Sequence, residues 1–111
     1  MKKLTAISEI NSELESAYLA RQSGNEGKAR VCARRAAGIA VRNYFLETSK
    51  VERKESAFEL IRIFSEQPDL PPEIKQLASN LTLRVTKSFN LPVGVDLIDD
   101  AQRLCDYLLN I

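Results

Sequence analysis

The stretch KARVCARRAAGIAVRNYF, residues 28–45, constrains the fold more than any other part of the chain. At about 100° per residue, a helix through it gathers Ala29, Cys32, Ala33, Ala36, Ala40 and Tyr44 on one side. Residues this small let neighbouring helices approach closely, so the pattern predicts the central helix of a bundle. Lys28, Arg30, Arg34, Arg35 and Arg42 are assigned to the opposite, outward side, and the stretch contains no acid.

Helical spacing continues on both flanks. Leu4, Ile7, Ile10, Leu14, Ala17 and Tyr18 form one apolar stripe and predict a first helix over about 4–22. Ser23-Gly24-Asn25 breaks it, and Asn25 can cap the second helix, over about 26–47. Ser49 with Glu52 has capping-box spacing and opens a third helix, with Ala57, Phe58, Ile61 and Phe64 inward. Pro68 and Pro71-Pro72 end it, and Pro72 suits the first turn of a fourth helix that buries Ile74, Leu77, Ala78, Leu81 and Val85. A turn over Asn90-Leu91-Pro92-Val93-Gly94 leads to a last helix capped by Asp96, with Leu97, Ile98, Ala101, Leu104, Cys105 and Leu108 inward. No alternating run argues for a sheet. The expected fold is all-α, an antiparallel up-and-down bundle of about five helices, in a single domain over residues 1–111. Residues 24–37 have some of the look of a tetratricopeptide unit, but nothing comparable recurs at that period, which disfavours a solenoid.

Composition narrows the function classes. Sixteen Lys and Arg against fifteen Asp and Glu leave a net charge of +1, so no global field draws the chain onto nucleic acid and a local patch is required. No uninterrupted apolar stretch follows Lys2-Lys3 or occurs later, so neither a signal peptide nor a membrane span is expected, and the expected location is the cytoplasm. Cys32 and Cys105 read as small apolar core residues. The sequence has no histidine, which removes the usual general base near neutral pH and the commonest metal ligand. Asp96, Asp99 and Asp100 have a spacing that suits a hard cation, but acids at a helix start also answer its free donors, and that explanation is preferred. No glycine-rich phosphate loop, zinc spacing or nucleophile motif is present, and no metal or cofactor is expected.

The basic side of residues 28–45 has two readings. One is a solvated face whose guanidiniums pair with acids on adjacent helices or on a partner. The other is phosphate recognition, because arginine offers a planar fork to phosphate oxygens. Aromatic residues for stacking single-stranded RNA are confined to Tyr44 and Phe45 at the end of the stretch.

Two longer stretches together resemble a family. ELESAYLARQSGNEGKARVCARRAAGIAVRNYF, residues 13–45, resembles the front half of a HEPN domain, and LRVTKSFNLPVGVDLIDDAQRLCDYLL, residues 83–109, resembles its closing helices. The resemblance implies a small helical bundle that dimerises through its helices. It also implies RNA or nucleotide as ligand, and a minimal nucleotidyltransferase as partner in toxin–antitoxin pairs. Many HEPN domains are ribonucleases whose signature is an arginine followed, four to six residues on, by a histidine. Here Arg84 is followed by five residues and then Asn90, with Lys87 between them. An amide does not take and return a proton at neutral pH, so the site keeps a means of holding phosphate and loses the base.

The expectation is therefore a non-catalytic, homodimeric HEPN-like binding module meeting RNA, a nucleotide phosphate or an acidic protein through Lys28, Arg30, Arg34, Arg35 and Arg42. The alternatives are a degenerate ribonuclease or toxin–antitoxin component, using Arg84 with Asn90 or Tyr44, and a structural accessory subunit with no ligand.

Overall fold

A computed structural model describes residues 2–83 and 95–109. They form five helices: α1 (Lys2–Gln22), α2 (Glu26–Ser49), α3 (Ala57–Ser65), α4 (Pro72–Leu81) and α5 (Leu97–Leu109), with no strand among the described residues. Each boundary has a local chemical cause. Gly24 at φ +82° closes α1 in the left-handed conformation that glycine tolerates. The Asn25 side chain accepts the Lys28 N–H at 3.0 Å and starts α2. Lys50, left-handed at φ 59°, ends α2 with its N–H on the Leu46 carbonyl.

The third helix starts later than its spacing predicted. Ser49 is the last residue of α2, and Ser56 caps α3, accepting the Glu59 N–H at 3.3 Å. Ser56 and Glu59 form a second capping-box pattern seven residues beyond Ser49 and Glu52. The later one prevails because Leu60, Ile61 and Phe64 then point into the core. Residues 50–56 instead retrace α2. Arg53 lies over the Phe45 ring, the Glu55 carbonyl accepts from Arg42, and Ala57 meets Gly38. Consequently α3 begins beside Gly38 and ends beside Tyr44, where Tyr44 and Phe64 meet edge to face at 5.4 Å. It runs in the same sense as α2.

The fourth helix stops at Leu81 rather than continuing towards Val85. Thr82 turns the chain, and its hydroxyl donates to the Ala78 and Ser79 carbonyls. Val85 and the expected turn over 90–94 lie outside the described residues.

The core confirms α2 as the centre, packed by α1, α3 and α5. Ala29, Ala33, Ala36 and Ala40 have no exposed surface, as the small-residue side predicted. Cys32 and Cys105 are buried as free thiols, and burial, together with the nearby Asp106 charge, pushes the Cys105 thiol up to about 12. The first stripe is only half right. Ile10, Leu14 and Ala17 are buried, but Leu4 and Tyr18 are exposed, and Ala6 and Ala20 take core positions instead. A helix that packs mainly on one neighbour buries a narrow strip, and the alanines lie within it.

Three helix ends are tied together by one side chain. Arg21, closing α1, donates Nε to Glu26 Oε1 at 2.7 Å, and its Nη1 lies 3.1 Å from both carboxylate oxygens of Asp96. Asp96 also caps α5, accepting the Ile98 and Asp99 N–H groups. The Arg21 guanidinium holds the Glu26 carboxyl below its ordinary value. Burial pushes Asp96 up, but the Asp99 N–H, Arg21 and the Ile98 N–H outweigh it, and its carboxyl is also lowered.

Asp100 behaves oppositely. It is buried, with Oδ2 accepting the Asn80 amide at 3.1 Å, and burial raises its carboxyl above the ordinary value despite that bond. A folded value above the unfolded one means that its ionised form opposes folding. Its stabilising contribution is full below the unfolded carboxylate range and is lost as pH rises through the raised value. Asp100→Asn retains an acceptor for Asn80 and removes the charge. It should be more stable than the parent at pH 7, with the difference gone by pH 3. Urea unfolding at both pH values measures this, and a variant less stable at pH 7 would contradict it.

Candidate functional site

The basic residues of α2 do not share one face. Lys28, Arg35 and Arg42 recur every seven residues and lie along one flank, whereas Arg30 and Arg34 lie about a third of a turn away on the other. In its second half α2 has little outer side left, because Gly38, Val41, Asn43 and Phe45 are buried as well as the alanines. Two of its arginines are drawn into structural work. Arg34 Nε donates to the Leu81 carbonyl at the end of α4 at 2.9 Å, and its guanidinium lies over Phe58. Arg42 Nη2 reaches the Glu55 carbonyl at 3.3 Å. Arg30 is half-buried, and its charge acts on Glu26. Lys28 and Arg35 remain exposed.

At its C-terminal end, this flank borders a cavity of about 240 Å³. Thr5, Ala6 and Glu9 of α1 line one wall, Ile39, Arg42, Asn43 and Leu46 of α2 the other, and Glu52 of the retracing segment closes an end. Ala6 and Asn43 are buried, while Thr5, Glu9 and Glu52 are exposed, so apolar surface and a carboxamide lie deepest and the carboxylates stand at the rim. Asn43 is only 6% exposed, and its amide nitrogen has no hydrogen-bond partner. Nothing in the apolar periodicity singled it out. The one available signal was an asparagine amid residues otherwise suited to a core.

The three aspartates at the start of α5 diverge to different partners. Asp96 caps the helix and meets Arg21, Asp99 pairs with Arg103 at 3.0 Å, and Asp100 turns inward to Asn80. Among the described residues, no group of three or more His, Cys, Asp or Glu is placed to hold a metal ion. Arg84, Lys87 and Asn90 lie outside the described residues. Tyr44 is half-buried against Phe45 and Phe64, with its hydroxyl 3.4 Å from Gln67 Oε1.

Fold and site together define an all-helical bundle with a partly basic central helix and a small polar-rimmed cavity, and no described helix is long and apolar enough to cross a membrane. No family model, curated protein or solved structure among those compared matches the chain.

Proposed function

We propose that this protein is a non-catalytic, homodimeric binding module of HEPN-like type that holds RNA or nucleotide phosphate on the Lys28–Arg35 flank of α2. The observation that carries this reading is the division of labour among the basic residues. Arg34 and Arg42 are engaged with backbone carbonyls, while Lys28 and Arg35 stand exposed on one flank with no carboxylate partner among the described residues. Two cations seven residues apart sit about 10 Å apart along the helix, a spacing at which each can meet a separate phosphate. Self-association has its support in α1, whose outer side exposes Leu4, Tyr18 and Leu19.

Fluorescence anisotropy with a short single-stranded RNA tests the ligand. Lys28→Glu/Arg35→Glu should weaken binding at least tenfold while leaving thermal unfolding nearly unchanged, since both residues are exposed. The parent's affinity should fall as salt rises, because phosphate contacts release counterions, and the variant's salt dependence should be shallower. Affinity indifferent to both salt and charge reversal would refute phosphate recognition here. A monomer in light scattering at micromolar concentration would remove the dimer.

A further inference from the structure

We infer that the cavity between α1, the second half of α2 and residues 50–56 binds a small zwitterion bearing a primary ammonium and a carboxylate, the chemistry of a free α-amino acid. A buried amide N–H without an acceptor is costly, and Asn43 carries one in the wall of this cavity. The nitrogen itself is buried, so the carboxamide must turn about its last bond to present that N–H to whatever occupies the space. The neighbouring residue, Arg42, has committed Nη2 to the Glu55 carbonyl and brings further guanidinium donors to the same wall. Adjacent donors of these two kinds suit a carboxylate.

The rim asks for the opposite charge. Glu9 and Glu52 are exposed, belong to different elements, and form no ion pair among the described residues. With only Arg42 against them, the lining carries a formal charge of −1. That disfavours a phosphate or dicarboxylate, which the two glutamates would repel. A simple diamine fits the rim but leaves the Asn43 and Arg42 donors without an acceptor. A ligand with both groups satisfies both ends. Ala6, Ile39 and Leu46 supply apolar surface for a side chain. The volume of about 240 Å³ is below the roughly 300–1,000 Å³ typical of pockets for drug-sized ligands, which points to a ligand of amino-acid size.

The test uses the whole chain and each of the twenty free L-amino acids, followed by isothermal titration calorimetry and amide chemical shifts. The expected result is binding by amino acids with apolar side chains, with shifts at Ala6, Ile39, Asn43 and Leu46. The N-acetyl derivative of the tightest binder, which lacks the ammonium, and its amide, which lacks the carboxylate, should each bind at least tenfold more weakly. Asn43→Leu should lose at least tenfold in affinity while melting at the same temperature or higher, because it removes an unpaired buried donor. A purely structural asparagine would give lower stability and unchanged binding. Should that variant fail to fold, Glu9→Gln/Glu52→Gln on the exposed rim makes the same test, with at least a tenfold loss expected. No binding at millimolar concentration, equal binding of the N-acetyl derivative, or unchanged affinity in the rim variant would overturn the inference. Lys28→Glu/Arg35→Glu should leave amino-acid binding intact, so this site and the phosphate flank stand or fall separately.

Discussion

Gly38→Ala is expected to lower the unfolding free energy by about 2 kcal/mol and the melting temperature by about 10 °C. A Cβ on residue 38 would sit 2.6 Å from the Cβ of Ala57 and 2.8 Å from its Cα, closer than real carbon atoms approach. Ala57 is the first residue of α3, so relief requires the start of that helix to move, and Leu60, Ile61 and Phe64 are buried behind it. Helix propensity alone predicts the opposite sign, because glycine inside a helix costs about 1 kcal/mol relative to alanine. The clash wins because its partner is backbone rather than the tip of a flexible side chain. An overpacking cost of about 3 kcal/mol, less the propensity gain, leaves the net loss. Adding Ala57→Gly removes the 2.6 Å contact and leaves the 2.8 Å one, so the double variant should recover only part of the loss. Thermal unfolding of the single and double variants measures both effects. A more stable Gly38→Ala would mean that α2 and α3 do not approach this closely.

Ala36→Leu probes the other side of the same helix and should cost about 3 kcal/mol. Ala36 has no exposed surface, and its carbonyl lies 3.6 Å from the Cys105 Sγ, so α2 and α5 are in close contact there. Leucine is nearly as good a helix former as alanine, and propensity therefore offsets little of the loss. The added carbons must displace α5, which buries Ala101, Leu104 and Cys105 in the same core. In urea, the midpoint should fall while the slope stays constant, the sign of a changed stability in an unchanged fold. A midpoint equal to the parent's would show that this contact has room for a larger side chain.

Much of this architecture was legible in the chain. Asn25, Gly24, Pro72 and Asp96 mark helix boundaries by chemistry that acts within one turn, and all four serve as the sequence suggested. The alanine side of α2 was equally plain, since its residues repeat at helical spacing with little else able to occupy a crowded centre. The boundary at Ser49 was not, because Ser49 with Glu52 and Ser56 with Glu59 are equivalent as local capping patterns. Choosing between them depends on where Leu60, Ile61 and Phe64 find a core. The candidate site was less legible than the fold. Residues 28–45 advertise five cations, but whether each is free depends on carbonyls at Leu81 and Glu55, which belong to other elements. Arg21 gave no sign of bridging Glu26 and Asp96, a residue 75 positions away.

The sequence by itself determined the five described helices, most of their ends and the identity of the central one, because caps, prolines and a 3.6-residue period work over neighbouring residues. Only the tertiary structure decided which arginines stay exposed, where α3 starts, and that Asn43 lines a cavity with its buried amide nitrogen unpartnered. Those outcomes depend on which helix arrives beside which. Residues 50–56 turn back along α2, pressing Ala57 onto Gly38 and placing Glu52 at the cavity end. That single excursion occupies Arg42 and walls one end of the cavity beside Asn43.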